Sequence, residues 1–209
     1  MGKIYPDLVG AFTNAVGGTV YYMRCGKNVV RRKGVRRKKQ TALQERQQVK
    51  FGVLSRLAML LKEVITMGFV QRKQGVFDVN VFVQKNKDIC RVEEDGSISV
   101  NYERLVCSEG NLRVPVAVAM LDEGDHGLTF ECEEMEPDKD ALPDDRIMGV
   151  VFDTVNGFCR CVELCERQEG GATSVTLDEY WSLEALAVYV FAVSKDGRRV
   201  SDSVYLPFA

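Results

Sequence analysis

The chain of 209 residues is long enough for one large domain or two small ones, and its apolar share of 45% excludes an intrinsically disordered protein. The net charge of −2 hides a strong asymmetry. Residues 1–75 carry 16 basic and 3 acidic side chains, a net charge of +13, whereas residues 76–209 carry 12 basic and 27 acidic side chains, a net charge of −15. Such a division indicates either a polyanionic partner at one end or mutual neutralisation, within the fold or between neighbouring copies.

No apolar stretch of secretory length follows Met1–Ile4, so we expect no signal peptide and a cytoplasmic protein, or a virion protein if the gene belongs to a phage. The most apolar window, Val53–Phe69, contains Arg56, Lys62 and Glu63, which predicts a soluble helix and no membrane partner. The seven cysteines are an odd number in such a chain and are expected to be reduced thiols.

A glycine-rich N-terminal region, residues 1–40, is predicted to form a β-hairpin that continues into a basic arm. Residues Thr19–Arg24 and Val29–Arg32 are rich in strand formers and flank a turn at Cys25–Asn28. The second strand then enters a run of nine residues with seven cations. The candidate binding residues are these cations and one arginine of the following helix: Arg31, Arg32, Lys33, Arg36, Arg37, Lys38, Lys39 and Arg46.

A long helix is predicted from Thr41 to about Met67, within a connector region of residues 41–110. Thr41 and Gln44 form a capping box at its start, and Gly68 is expected to end the helix in the left-handed conformation. Apolar residues recur at helical spacing and predict one buried face. They are Leu43, Phe51, Leu54, Leu57, Ala58, Leu61, Val64 and Ile65.

From residue 111 onwards, strand patterns recur about every ten residues with turn signals between them. The seven predicted strands are Leu112–Leu121, Gly127–Glu133, Ile147–Thr154, Phe158–Leu164, Thr173–Leu177, Leu186–Ser194 and Arg199–Leu206. This pattern is typical of an immunoglobulin-like or fibronectin-III-like β-sandwich, here spanning residues 111–209. The predicted fold class is therefore α+β and mostly β.

The residues also carry a resemblance to a known family. The matching positions run through the whole chain: Met1–Ile4, Gly10, Phe12, Val16, Gly17, Val20, Gly26, Thr41, Gln44, Arg46, Lys50, Phe51, Leu61, Lys62, Ile65, Gly68, Phe69, Asn101, Tyr102, Leu105, Ser108, Gly110, Leu112, Val188, Tyr189, Phe191, Ser194, Asp196, Gly197, Val200, Ser201, Ser203 and Tyr205. In their order and spacing they resemble a domain-of-unknown-function family of Bacteroidetes bacteria and their mobile elements. The resemblance implies a fold rather than an activity.

The segment Gly75–Lys85 has two interpretations. Phe77, Val79, Val81 and Val83 alternate with polar residues, which predicts a strand. The family that the chain resembles has an alanine-rich, helical stretch at this point, which implies a second short helix instead.

Three groups of side chains are candidates for chemical sites. Cys159, Cys161 and Cys165 lack the spacing of a zinc site and are expected in the core without a metal. The only histidine, His126, is expected in an exposed turn. The acidic stretch Glu131–Asp145 lacks the pattern of a calcium loop and is expected to be solvated, or to receive the basic arm of a second copy. No cofactor is predicted.

No motif of an enzyme is present, so two non-enzymatic functions remain. The first is a structural or assembly protein, of a phage or another mobile element, whose cationic arm contacts neighbouring subunits. The alternative is a nucleic-acid-associated protein that binds phosphates through Arg31–Lys39. The sequence leaves the choice between them open.

Overall fold

The computed structural model describes residues 2–4, 13–35, 40–93, 96–122 and 126–207. The architecture is α+β with mostly β structure, as the sequence predicts. The chain divides into two compact units, residues 1–45 and residues 46–209.

The described part of the N-terminal unit contains four strands, β1 (Gly2–Ile4), β2 (Asn14–Val16), β3 (Thr19–Arg24) and β4 (Lys27–Arg32). They form one antiparallel sheet in the order β1-β4-β3-β2. The predicted hairpin is confirmed, because β3 and β4 pair along their whole length. The outer strands β1 and β2 supply the extra pairing that a two-stranded hairpin needs for stability in water.

Within the described residues, three α-helices follow: α1 (Ala42–Leu60), α2 (Lys62–Gly68) and α3 (Asp78–Lys85). The capping box before α1 is confirmed. The Thr41 N–H donates to Gln44 Oε1 at 3.2 Å, and the Gln44 N–H donates to Thr41 Oγ1 at 3.3 Å. Each side chain thus satisfies a backbone donor that has no partner inside the helix.

The prediction of one continuous helix to Met67 is wrong, since the helical segment is interrupted at Leu61. The backbone of Leu61 leaves helical geometry, with φ −93° and ψ 19°, although its N–H still donates to the Leu57 carbonyl oxygen. Neither proline nor glycine marks this point, so periodicity alone does not locate the interruption.

The predicted apolar stripe is confirmed only over its second half. Leu54, Leu57 and Leu61 are at most 5% exposed, whereas Leu43 and Phe51 are 77% and 59% exposed. The first two turns of α1 are exposed on every side. Helical spacing identifies which side chains share a face, but it does not show how far along the helix that face is covered.

The segment around α3 is helical, so the strand interpretation of Gly75–Lys85 is wrong and the helix implied by the family resemblance is confirmed. Phe82 is fully buried and meets Phe69 edge to face, with ring centroids 6.3 Å apart. Phe77 and Val79, two of the alternating residues, are exposed. The alternation of apolar and polar residues therefore does not indicate a half-buried strand here. The contact of Phe82 with Phe69 anchors the helix to the core.

All seven strands predicted after residue 110 are present in the described residues, with shifted bounds. After the short strands β5 (Cys90–Val92) and β6 (Ile98–Val100), they are β7 (Ala117–Asp122), β8 (Gly127–Cys132), β9 (Arg146–Asp153), β10 (Cys159–Glu166), β11 (Gly171–Thr176), β12 (Leu186–Val193) and β13 (Val204–Leu206). They form two antiparallel sheets, β10-β9-β12-β13 and β11-β8-β7. The immunoglobulin-like or fibronectin-III-like assignment stays a prediction.

The sheet β10-β9-β12-β13 forms the middle of three layers, and its central strands β9 and β12 are buried on both faces. Every residue of β12 is buried. Ala187, Tyr189 and Phe191 belong to the apolar core shared with the helices, whereas Val188 and Val190 belong to the core shared with β7, β8 and β11. The helices of the second unit and the three-stranded sheet are therefore joined through the sheet between them.

Gly68 was predicted to end the helix in the left-handed conformation, and this reason is wrong. Gly68 is absent from the described residues with positive φ. Instead, a Cβ atom at this position would overlap the carbonyl oxygen of Cys107 and lie 2.9 Å from the Cα atom of Ser108. Glycine is required here because the helix end lies against another backbone segment.

We expect Gly68→Ala to lower the free energy of unfolding by roughly 1–3 kcal/mol, because backbone atoms must move to admit the methyl group. Chemical denaturation monitored by circular dichroism measures this loss. The matched control is Gly52→Ala in α1, where nothing lies within 4 Å of the added Cβ. That variant should be more stable by about 0.5–1 kcal/mol. Equal stability of the two variants would contradict the packing argument.

Candidate functional site: the cationic N-terminal sheet

A tight turn fixes how β3 pairs with β4 in the sheet of the N-terminal unit. The turn between β3 and β4 consists of Cys25 and Gly26, with φ of 49° and 73°. Positive φ at both residues is the mark of the two-residue turn that matches the twist of a hairpin. This turn fixes the register, so that Arg24 lies directly opposite Lys27 and Val20 lies directly opposite Arg31.

The register places cations on both faces of the sheet. Because side chains alternate along a strand, Arg24, Lys27 and Arg31 share one face with Tyr22, and Arg32 lies on the other. The Arg31 guanidinium carbon lies 5.9 Å from the centroid of the Tyr22 ring, within reach of a cation–π contact. Arg24 and Lys27 lie directly opposite each other, so one end of this face carries two like charges.

The structure describes four of the predicted binding residues. Arg31 and Arg32 end β4, and the backbone N–H of Lys33 continues the pairing by donating to the Gly18 carbonyl oxygen at 2.7 Å. Arg46 lies in α1. All four side chains are exposed. The other four predicted residues, Arg36, Arg37, Lys38 and Lys39, lie outside the described residues.

Two cations were missed by sequence reasoning, namely Arg24 and Lys27. They are separated from the basic run along the chain and become its neighbours only through the hairpin. The predicted four-residue turn at Cys25–Asn28 would place Arg24 opposite Val29. The observed two-residue turn at Cys25 and Gly26 extends β4 back to Lys27 and brings the two cations opposite each other.

Four cations of the N-terminal unit, Arg24, Arg31, Arg32 and Lys33, form no ion pair with any described residue, and neither does Arg46 at the start of the second unit. These exposed cations give the site a positive charge, which favours an anionic partner.

The acidic stretch divides into two parts, and its prediction as a wholly solvated loop is wrong. Asp140 pairs with Arg199 at 2.7 Å, Asp144 pairs with Lys195 at 3.3 Å, and Asp145 pairs with Arg167 at 3.3 Å. The last pair is completely buried. Four glutamates earlier in the stretch are exposed and form no ion pair with described residues: Glu131, Glu133, Glu134 and Glu136.

All seven cysteines lie within the described residues and are free thiols, as predicted. Burial raises the pKa of the Cys159 thiol to about 12 and that of Cys161 to about 11. These thiols stay protonated at neutral pH and are poor nucleophiles and poor metal ligands. Among the described residues, no group of three or more metal-binding side chains comes together.

His126 lies in a turn, as predicted, but it is half-buried rather than exposed. Its Nε2 atom is buried and has no hydrogen-bond partner among the described residues. The sequence neighbours Glu123 and Asp125 lie outside those residues. The described surroundings of His126 therefore contain no proton-transfer partner on Nε2.

A pocket of about 560 Å³ opens on the second unit beside Tyr102. Its charged lining side chains are Asp88, Arg91, Glu103, Arg104 and Glu184. Two cations beside three carboxylates give no strong charge of either sign, and neither a cysteine nor a histidine is among the described lining residues. The charge of this lining therefore does not favour a ligand of either sign.

The described helices include none that is both long enough and apolar enough to cross a bilayer.

A search of curated proteins finds no match to the chain. The model of a family of unknown function, DUF6266, matches residues 7–207, which is almost the entire chain. A match of this extent confirms the resemblance to a domain-of-unknown-function family. The chain belongs to the family of unknown function DUF6266.

Proposed function

We propose that the protein is a non-enzymatic structural or assembly protein whose cationic N-terminal unit contacts neighbouring subunits. The observation that carries this proposal is a double charge imbalance. Arg24, Arg32 and Lys33 lack an ion pair among the described residues, and so do the exposed glutamates within residues 131–136 of the second unit. A second copy supplies the missing counter-charge on both surfaces.

Several elements of the proposal rest on the sequence. The partner is a copy of this chain or another assembly protein, and the gene belongs to a phage or another mobile element of a Bacteroidetes bacterium. In that setting the protein is cytoplasmic or part of a virion. A β-rich second unit joined to a cationic unit that binds neighbouring subunits is suited to such an assembly.

A nucleic-acid-associated protein is the second candidate, and one observation favours it. Arg24, Lys27 and Arg31 share a face with Tyr22. Cations that track phosphates beside an aromatic ring that stacks on bases are the two parts of a sequence-tolerant single-strand site. Arg31 already lies against Tyr22, so the ring would have to exchange that contact for a base.

We expect replacement of Arg31, Arg32, Lys33 and Arg46 by Gln to leave the fold intact and to weaken association at least about tenfold. All four side chains are exposed, so the core does not depend on them. Light scattering across a series of salt and protein concentrations, with and without single-stranded DNA, measures the association. Concentration-dependent size without DNA indicates self-assembly, whereas DNA retention that falls log-linearly with salt indicates phosphate binding.

The matched control removes the same charge from the second unit. Lys87, Arg91, Arg104 and Arg198 are exposed, and their replacement by Gln should leave both forms of association unchanged. If the two quadruple variants and the parent behave alike in size and in DNA retention, the cationic unit has no binding function.

A further inference from the structure

The strand β7 forms one edge of its sheet and has a row of unpaired backbone groups. The Glu133 N–H donates to the Val116 carbonyl oxygen at 3.0 Å, and the pairing along β7 and β8 contains no bulge. Hydrogen-bonded and non-hydrogen-bonded pairs alternate along an antiparallel ladder. The N–H and C=O groups of Ala117, Ala119 and Leu121 therefore point away from β8, and they have no partner in the described part of the chain.

The outward side chains of this edge are apolar. Val116, Val118 and Met120 are 46%, 53% and 48% exposed. Natural edge strands are usually protected by lysine, proline or a bulge, because an open apolar edge is a template for another chain. None of these devices occurs within β7. Ala119 is only 5% exposed, so the exposed apolar side chains of this strand, and not its backbone groups, mark the interaction surface.

Carboxylates lie beside the apolar residues on the same face of the sheet. Glu131 is the direct cross-strand partner of Val118, and Glu133 is hydrogen-bonded through its backbone to Val116. Both glutamates are exposed and have no ion pair with described residues. We call Val116, Val118, Met120, Glu131 and Glu133 the acidic face.

This composition determines which partner fits. Two acidic faces would repel each other, so symmetric pairing of β7 with β7 is disfavoured. The complementary surface must be apolar and cationic. The N-terminal sheet has such a face, because Thr19 pairs with both Val16 and Arg32 and places them in one row. Val16 is 69% exposed, and Met23, on the same face, is 37% exposed.

We propose that the acidic face of one copy receives the N-terminal sheet of a second copy. This inference rests on the proposed function and names the receiving surface. The two contacting surfaces differ, so the contact is head-to-tail, and such contacts close into rings or continue as filaments.

A charge exchange tests the proposal. One variant carries Glu131→Lys and Glu133→Lys, and the other carries Arg32→Glu and Lys33→Glu. Each variant alone should associate at least about tenfold more weakly than the parent, since both of its surfaces then carry the same sign of charge. An equimolar mixture should regain the size of the parent, because each variant supplies the surface that the other lacks. Analytical ultracentrifugation at equal protein concentration measures all four samples.

The apolar part of the surface is tested separately. Val118→Lys adds the cation that protects natural edge strands and should also weaken association at least about tenfold. Its matched control is Val155→Lys, an equally large change at a site that is 72% exposed and lies outside every strand. That control should associate like the parent.

The outcomes separate the two levels of the proposal. A parent that stays monomeric at every salt concentration, or that binds only DNA, overturns both the proposed function and this inference. A parent that self-associates through Arg32 and Lys33, but is indifferent to Glu131→Lys and Glu133→Lys, overturns the acidic face alone. Failure of the mixed variants to regain the parent's size also contradicts the head-to-tail contact.

Discussion

Replacement of Asp145 by Ala should lower the free energy of unfolding by about 3–5 kcal/mol, because it leaves the fully buried Arg167 without a counter-charge. The other partners of Arg167 are neutral. Its Nη2 donates to the Arg113 carbonyl oxygen at 2.7 Å, and its Nη1 lies 3.2 Å from Met135 Sδ. Urea denaturation followed by circular dichroism measures the loss.

Two controls make this prediction specific to the buried charge. Burial raises the pKa of the Asp145 carboxyl and lowers the pKa of Arg167, so both shifts favour the neutral forms and the ion pair is itself costly. Asp145→Leu combined with Arg167→Met should therefore recover most of the lost stability. Asp140→Ala breaks the partly exposed pair with Arg199 and should cost at most about 1 kcal/mol. If Asp145→Ala costs no more than Asp140→Ala, burial does not govern this pair.

Leu57→Asp should unfold the second unit, with an expected loss of about 5 kcal/mol or more, comparable to the total stability of a domain. Leu57 is 5% exposed and belongs to the core that the helices share with the four-stranded sheet. A carboxylate there would be buried in apolar surroundings and would also leave a cavity. Thermal unfolding and the yield of soluble protein report the effect.

The same helix offers the control. Leu43→Asp introduces the same charge at a position that is 77% exposed and in the first turn of α1, where a carboxylate suits the helix dipole. Its stability should stay within about 0.5 kcal/mol of the parent. A soluble Leu57→Asp protein that melts like the Leu43→Asp protein would show that this face of α1 is not part of the core.

Much of the fold was predictable because turns and strands leave local signals. Turn signals located the hairpin and the seven strands that follow residue 110. The apolar run Leu186–Val193 also has no polar residue at alternate positions, which is typical of a strand that is buried on both faces. That feature is visible in the sequence, and it indicates that a further layer, here the helices, covers the second face of the sheet.

The rest depends on contacts between distant residues. A buried arginine such as Arg167 looks like any surface arginine in a sequence, and only the approach of Asp145 and Arg113 distinguishes it. At the candidate site, the basic run could be recognised because its cations are nearly consecutive in the sequence. The opposition of Arg24 and Lys27 and the outward apolar residues of β7 required the strand register.

The position of β12 in the chain has a consequence for synthesis on the ribosome. Both apolar cores of the second unit rest on this strand, yet it is translated after all three described helices and after every other strand of the two sheets except β13. The strand β9 also contributes to both cores, but a nascent chain that has not reached Leu186 lacks the strand between β9 and β13, so the surface shared by the helices and the three-stranded sheet is incomplete. Apolar side chains of both layers stay partly uncovered until β12 is made, so folding of this unit should be completed only after that strand leaves the exit tunnel.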